Sequence, residues 1–438
     1  MTNTPDKLSV QQFILHALHI DQPNLMESAA RLSAADWDET VRLANAHRLG
    51  PILHKRLSQS DIREALPDTV RQVFKVKYQR NSIRNLALYR ELIRLTELLN
   101  AHGIPSLALK GAYLARFAYP EPNIRWLRDL DLLVPEAQVQ VAFDLLVSQG
   151  YRQATGGHAH THGETSKHLP MLIGPEGLAV ELHLRLLSPH NADLVPVVPS
   201  HFAWDRLWSR RIERRVGETA VQFLCPTDLL LHLCLHATVE HHFNVGPLAL
   251  ADIVYLLQDE AFDWEDFLSM AESGAWQAGV LPALDMARRL LGAAVPDEAV
   301  QRLANGRDLR PWQASADYLL FSELADIHSV GGLRMAAVLF ADGGIRHRLS
   351  LTWQGLFVSR QQIAREFTVD PASLRVFFYY PLRWWRLGKT TWQNLRQADA
   401  RQTAVLPLVA HKARLDAWLQ QGRQTAGRHD PAERRPQD

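Results

Sequence analysis

The segment Arg128-Asp129-Leu130-Asp131-Leu132-Leu133-Val134 decides the fold, because it places two carboxylates one residue apart in an apolar run. Side chains alternate between the two faces of a β-strand, so Asp129 and Asp131 share one face while Leu130 and Leu132 point into a core. Two negative charges this close repel each other and raise a pKa unless a cation or a hydrogen-bond donor compensates them. A divalent ion bound by oxygen ligands is the simplest compensation. The segment therefore predicts a buried strand that holds catalytic Mg²⁺.

A helix, a short strand and a glycine turn precede this segment. Leucines at 88, 92, 95 and 99 recur every three or four residues and predict a long helix over about residues 68–100, which Gly103 ends. A strand at 106–109 then leads through Lys110 and Gly111 into a helix that continues to Ala118. This geometry brings backbone N–H groups and a lysine charge close to a phosphate. By itself, a Lys-Gly pair such as Lys110-Gly111 more often indicates a tight turn beside a solvated lysine.

A later strand at 178–185 alternates apolar and polar residues. Its apolar side chains face a core, while Glu181, His183 and Arg185 share the opposite face. Glu181 is the candidate for a third metal carboxylate. A solvent-facing strand is the alternative, and it is less attractive only because the aspartate pair exists.

Three further polar residues have two interpretations each. Arg125 and Arg128 are either partners of the carboxylates or contacts of a polyphosphate, and structural ion pairs are the commoner case. Asp252 lies in an apolar helix, where a lone acid usually has a specific partner. We favour a structural role for Asp252 over contact with a nucleotide.

Two groups of histidines suggest zinc. The segment at 156–163 carries His158, His160 and His162 between glycines. We interpret this segment as a flexible loop at the mouth of the site rather than as a metal centre. The helix opened by Pro226 lacks a His-Glu-x-x-His pattern. Its histidines are therefore predicted to be packing and helix-end residues; they are His232, His236, His241 and His242.

The composition is that of a soluble globular protein, with 438 residues, 47% hydrophobic and 22% charged. A net charge of +1 argues against a dedicated nucleic-acid-binding protein. Two cysteines form neither a disulfide framework nor a cysteine-rich zinc site, which favours the cytoplasm. We see no signal peptide and no apolar run of the roughly 20 residues that span a bilayer.

The flanking regions are predicted to be helical. We expect an N-terminal helical region at 1–85, a core at 86–215, a helical domain at 216–330, a helical extension at 331–420 and a disordered tail at 421–438. The aromatic and basic stretch at 376–387 is consistent with a membrane-surface contact or a partner surface. Burial against the preceding helices is the favoured interpretation.

The turn at Lys110-Gly111, the strand with Asp129 and Asp131, and the strand with Glu181 together resemble the polymerase-β-like nucleotidyltransferase superfamily. More narrowly, residues 86–257 resemble its uncharacterised bacterial nucleotidyltransferase family. The resemblance implies an α+β fold, with a small mixed sheet backed by helices and helical regions on both sides. The superfamily's usual Gly-Ser or Gly-Gly turn is absent, because Ala112 follows Gly111.

By this resemblance, Asp129, Asp131 and Glu181 are the catalytic and metal-binding carboxylates, with Mn²⁺ as the alternative to Mg²⁺. The implied nucleotide-binding residues are Lys110, Gly111, Arg128 and His183. The expected activity moves a nucleoside monophosphate from an NTP, ATP being the first choice, to an unknown small-molecule or protein acceptor and releases pyrophosphate. The alternative is an inactive nucleotide-binding or assembly module, with a membrane surface as one expected location.

Overall fold

The structure is a computed structural model that describes residues 5–58, 61–154, 166–189, 191, 194–195, 202–258, 262–322, 360, 363, 367, 373–396 and 402–426. Within these residues the chain forms sixteen helices and one seven-stranded mixed sheet, with helices before and after the sheet in sequence. The predicted α+β fold class is therefore confirmed.

Five helices precede the sheet. They are α1 (Lys7–Leu18), α2 (Leu25–Ala30), α3 (Ala34–Ala46), α4 (Gly50–Ser58) and α5 (Asp68–Ala101). The predicted long helix is α5, whose leucine stripe is fully buried. Gly103 follows α5 with φ +67°, and the Ile104 N–H donates to the Leu99 carbonyl at 2.9 Å. This left-handed termination is the one that Gly103 predicts.

The sheet has β2 near its centre. Its strands are β1 (Leu107–Ala108), β2 (Asp129–Leu133), β3 (Arg152–Gln153), β4 (Leu172–Ile173), β5 (Ala179–His183), β6 (Ile212–Val216) and β7 (Thr219–Phe223). Their order across the sheet is β3-β4-β5-β2-β1-β7-β6. Strand β2 runs parallel to β5 and antiparallel to β1. A polar residue on β2 therefore has structured neighbours on both sides.

The structure corrects the sequence analysis at two elements. The region from residue 219 was predicted to be helical, but Thr219–Phe223 forms β7, and β6 and β7 extend the sheet past residue 215. The helix expected after Gly111 is only α6 (Gly111–Tyr113), and a π-helical turn, Leu114–Ala118, replaces the rest. The turn therefore offers no long helix whose N-terminus could face a phosphate.

The remaining helices surround the sheet and continue beyond it. They are α7 (Val139–Ser148), α8 (Trp204–Arg210), α9 (Pro226–Leu235), α10 (Pro247–Leu256), α11 (Trp264–Ser273), α12 (Gln277–Leu291), α13 (Asp297–Ala304), α14 (Arg310–Leu320), α15 (Tyr379–Arg396) and α16 (Gln402–Ala426). A π-helical turn, His236–Glu240, follows α9. None of the described helices is long and apolar enough to cross a membrane.

One hydrophobic core connects the helices that precede the sheet in sequence with those that follow it, from Val10 in α1 to Leu419 in α16. Helix α5 runs across the predicted boundary at residue 85, and the domain boundaries remain a prediction. Helix α16 continues to Ala426, so helical structure extends into the segment predicted as a disordered tail. The histidine loop with His158, His160 and His162 lies outside the described residues, and so does most of 323–372.

The favoured interpretation of the aromatic stretch as a buried segment is wrong for several of its side chains. Phe378 is 80% exposed and Trp385 is 59% exposed. Among the residues of this stretch whose side chains the structure describes, only Val376 is fully buried, in a small cluster with Ile363. The physical reason is that this cluster is too small to cover both sides of the segment.

Candidate active site

The register of two parallel strands brings the three predicted carboxylates to one face of the sheet. Asp131 on β2 is paired with Glu181 on β5, and Asp129 is paired with Ala179. Because side chains alternate along each strand, Asp129, Asp131 and Glu181 point to the same side. Leu130 and Leu132 point to the other side and are buried in the core. The sheet core thus fixes where the carboxylates lie.

Asp131 has two cationic partners. Its Oδ2 lies 3.2 Å from Lys110 Nζ, and its Oδ1 lies 3.1 Å from His183 Nε2. Burial opposes the charge of Asp131, but the Lys110 ammonium and the His183 ring lower its pKa well below the usual range. In return, Asp131 raises the pKa of His183 against the effect of burial. Asp131 is therefore a permanent anion that orients both neighbours.

Of the three carboxylates, Asp129 is the least well compensated. Asp129 Oδ2 accepts a hydrogen bond from Arg128 Nε at 2.6 Å, yet burial and the charge of Asp131 raise the pKa of Asp129. Burial opposes the charge of Glu181, but the His183 ring at 3.7 Å and the His168 ring at 4.0 Å lower its pKa, and an Arg128 amino group lies 3.9 Å away. A raised carboxyl pKa beside a second carboxylate is the expected sign of excess negative charge.

The donor set fits a hard divalent ion. Ligand atoms of Asp131, Glu181 and His183 lie within 4.8 Å of one another. Two carboxylates supply the oxygen ligands that Mg²⁺ and Mn²⁺ prefer, and Asp129 lies beside them on the same strand face. An added cation would relieve the repulsion that raises the pKa of Asp129. The residues present therefore suit such an ion, although Lys110 already contacts Asp131.

The loop that leads into β2 is held by one face of α5. Asn81 donates to the Asn123 carbonyl at 2.7 Å, Asn85 donates to the Arg125 carbonyl at 2.8 Å, and Arg84 donates to the Leu127 carbonyl at 3.0 Å. Both asparagines are buried, and asparagine is an unfavourable residue in a helix interior. Their cost is offset because they satisfy loop carbonyls that would otherwise be buried without donors. Sequence analysis missed these residues, although buried-face asparagines in a long helix were a readable signal.

Arg125 pairs with Asp252 rather than with the predicted metal carboxylates, and its contact with a polyphosphate stays a prediction. Its guanidinium makes two hydrogen bonds to Asp252, both at 2.7 Å, and Tyr119 Oη donates to Asp252 at 2.8 Å. A Cβ atom at Gly111 would lie 2.7 Å from Leu127 Cδ2 and would also collide with the Arg125 guanidinium. The glycine therefore permits close packing of Arg125 against the turn. The favoured structural interpretation of Asp252 agrees with this geometry.

The carboxylates line a cavity of about 500 Å³ whose far wall is polar. Lys167 pairs with Glu240, which also accepts a hydrogen bond from His236 Nδ1 at 2.8 Å. Burial and the nearby lysines lower the pKa of His241, to about 3, so its ring is neutral. His236, Glu240 and His241 form a second group whose ligand atoms lie within 4.8 Å of one another.

Sequence analysis did not place this wall in the site. His232 and His242 are buried, as predicted, and His242 Nε2 lies 2.6 Å from Asp416 Oδ1. His236 and His241 instead face the cavity, a position that was not predicted. The pairing of Lys167 with Glu240 joins residues far apart in sequence, so no local pattern could reveal it.

Arg48 is a further cavity residue that sequence analysis missed. It lies between α3 and α4 with φ +59°, a left-handed conformation that is uncommon for a residue with a side chain. Burial and the charge of Arg128 lower the pKa of Arg48. Within the described part of the chain, no carboxylate lies within ion-pair distance of its guanidinium. Arg48 is therefore a cation in the cavity without its own counter-charge.

Each predicted site residue now has a position. Asp129, Asp131, Glu181, Lys110, Gly111, Arg128 and His183 all line the same cavity. Lys110 points at Asp131 rather than into open space, and His183 is buried beneath the carboxylates. Arg185, on the same strand face as Glu181 in the sequence analysis, instead pairs with Glu136 outside the cavity.

Comparison with known proteins identifies a family for this chain. The family described as "Uncharacterised nucleotidyltransferase" matches residues 33–292, which is more than half of the chain and includes Arg48, the sheet and helices through α12. This match is wider than the resemblance over residues 86–257. No curated protein and no solved structure matches the chain. The matched family and the shared carboxylate face lead to one conclusion: the chain belongs to this uncharacterised nucleotidyltransferase family.

Proposed function

We propose that this protein is a metal-dependent nucleotidyltransferase that moves a nucleoside monophosphate from an NTP to an acceptor hydroxyl. The observation that carries the proposal is the convergence of Asp129, Asp131 and Glu181 on one face of the sheet. These carboxylates line a cavity that also contains arginine and lysine side chains. Family membership supports nucleotidyl transfer and a nucleoside triphosphate as substrate. ATP as the nucleotide and a small molecule or protein as the acceptor belong to the proposal.

In this proposal the three carboxylates would hold Mg²⁺ or Mn²⁺. When bound, such an ion supplies neutralisation of phosphate charge and makes a coordinated hydroxyl more acidic. Lys110 and Arg128 would bind the β- and γ-phosphates once their carboxylate partners face the ion. His183 would keep Asp131 oriented through its hydrogen bond.

The transfer itself is a substitution at the α-phosphorus. The acceptor oxygen forms a bond to this phosphorus, and the bond from phosphorus to the bridging α,β-oxygen breaks. Pyrophosphate leaves with the bonding electron pair. The acceptor proton goes to Glu181, the carboxylate with the most distant cationic partners in the site.

Arg48 gives the first prediction, because it is a cavity cation without a carboxylate partner. We expect Arg48→Gly to weaken NTP binding by about tenfold to a hundredfold, which corresponds to the loss of a charge-assisted hydrogen bond. Glycine adopts the backbone conformation at φ +59° without strain, so the thermal midpoint should not fall. Isothermal titration with an NTP and Mg²⁺ measures the effect.

Two matched variants make this test specific. Arg48→Lys keeps the charge and should recover part of the affinity. Arg31→Gly, which removes an exposed arginine paired with Glu27 in α2, should leave NTP affinity unchanged. Equal affinity of the Arg48→Gly variant and the wild type would remove Arg48 from the phosphate site.

A nucleotide-binding module without turnover is the second candidate. The observation that favours it is that Lys110 and Arg128 already occupy positions beside Asp131 and Asp129. Such protein cations compete with a metal ion for the same oxygens. The two candidates share the cavity and differ in whether a phosphorus–oxygen bond breaks.

Labelled nucleotides distinguish the candidates. In cell lysate with Mg²⁺, we expect label on the α-phosphate of an NTP to become attached to an acceptor, while label on the γ-phosphate appears in pyrophosphate. Attachment of the γ-label would indicate a phosphotransferase and contradict the proposal. Metal-dependent NTP binding without attachment of either label, across lysate and purified fractions, would favour the binding module.

A further inference from the structure

The segment between Ser373 and Arg396 has an unusual charge. It contains four arginines and one lysine, and no aspartate or glutamate. The whole chain, by contrast, has a net charge of only +1. Positive charge is therefore concentrated on one short segment that lies outside the matched family region at 33–292.

Exposed aromatic and aliphatic side chains lie in the same segment. Leu374, Phe377, Phe378, Leu382 and Trp385 are all exposed. In α15, Leu382, Trp385 and Lys389 are separated by three and four residues, so they lie on one face of the helix, and Arg386 lies beside them. This exposed face therefore combines apolar side chains with cations.

The opposite side of the segment is anchored. Val376 and Ile363 form a small buried cluster, against which Tyr379 and Tyr380 pack. On the exposed side, Lys389 Nζ lies 5.0 Å from the centre of the Trp385 ring. The Arg386 guanidinium lies 4.9 Å from the centre of the Phe367 ring, which packs against the buried cluster. Long cationic side chains lie along aromatic surface and keep their charged ends in water.

We propose that this face of residues 374–389 binds the surface of an anionic lipid membrane. Membrane-surface helices combine tryptophan, phenylalanine and leucine with lysine and arginine, and they lie in the plane of the lipid headgroups. Each cation near an anionic surface adds to the attraction, and the absence of acidic residues leaves that attraction unopposed. The proposed contact is peripheral, because an amphipathic helix lies in the plane of the membrane surface.

A lipid surface fits this face better than a nucleic acid does. Proteins that bind single strands place their aromatic rings in a positively charged groove that follows the backbone. Here Leu382 and Trp385 are exposed on the surface of α15, and the other exposed apolar side chains lie in the 3-10 turn before it. An exposed apolar and basic helix surface matches a broad, negatively charged surface.

Vesicle flotation of the full chain tests the proposal. We expect the protein to float with vesicles of phosphatidylcholine mixed with phosphatidylglycerol, and to remain at the bottom with phosphatidylcholine alone. The double substitutions Phe378→Ser with Trp385→Ser, and Arg386→Gln with Lys389→Gln, should each reduce the apparent affinity for anionic vesicles about tenfold or more. Neither pair is in the buried cluster, so thermal midpoints should stay unchanged.

The control removes the same charge elsewhere. Arg288→Gln with Arg302→Gln takes two arginines from other helices and should leave vesicle binding unchanged. Equal flotation with neutral and anionic vesicles, or unchanged binding by both double variants, would overturn the proposal. Tighter binding to a single-stranded oligonucleotide, with displacement from vesicles, would also overturn it and assign the face to nucleic acid.

Discussion

Replacing Asp131 with asparagine is expected to lower nucleotidyl transfer by about a thousandfold or more, since a metal ligand in such a site supplies several kcal/mol of transition-state stabilisation. Asp131 is the carboxylate at the centre of the site, between Lys110 and His183 and beside Glu181. Asparagine keeps the shape of the side chain and removes its charge. The measurements are label transfer from an α-labelled NTP and the Mg²⁺ dependence of NTP binding, which should also disappear.

The competing explanation of such a loss is misfolding, because Asp131→Asn leaves Lys110 buried without its counter-charge. The double substitution Asp131→Asn with Lys110→Gln removes both charges and should recover thermal stability while activity stays absent. Glu136→Gln, at an exposed carboxylate just after β2, should keep full activity. Retained Mg²⁺ dependence in the Asp131→Asn variant would refute the assignment of this residue to the metal site.

Local patterns predicted the parts of the site that a single strand or turn determines. Alternation in β2 and β5 predicted that Asp129, Asp131 and Glu181 point away from the core, and Gly103 predicted the end of α5. The strand register places Glu181 directly beside Asp131. That register depends on packing of the whole sheet, so the sequence alone supported it only through a family resemblance.

Residues brought in from distant elements were not predicted. Arg48 belongs to a helical region in which nothing chemical stood out, and only the fold places it near Arg128. The hairpin of β6 and β7 was missed because β7 adjoins a helical region and three of the five residues of β6 are charged. Buried asparagines in α5 show that a residue unfavourable for its own helix can indicate a long-range contact.

The largest effect on stability is expected at Asp252. This carboxylate is buried, accepts two hydrogen bonds from Arg125 and one from Tyr119, and connects α10 to the loop before β2. Asp252→Ala leaves the Arg125 guanidinium buried without its counter-charge, and removal of one member of a buried ion pair costs about 3–5 kcal/mol. We expect the unfolding midpoint in urea and the thermal midpoint to fall accordingly.

A double variant separates the effect of the unpaired Arg125 charge from the effect of lost side-chain packing. Arg125→Met with Asp252→Leu replaces the pair by apolar side chains and should recover most of the stability, because the desolvation cost of both ions is removed. Asp317→Ala, which breaks an exposed pair with Arg289, should change stability by less than about 1 kcal/mol. If Asp252→Ala is no more destabilising than Asp317→Ala, the buried pair does not hold the loop. In that case the positions of Arg128 and Asp129 must instead depend on the α5 asparagines that hold the same loop.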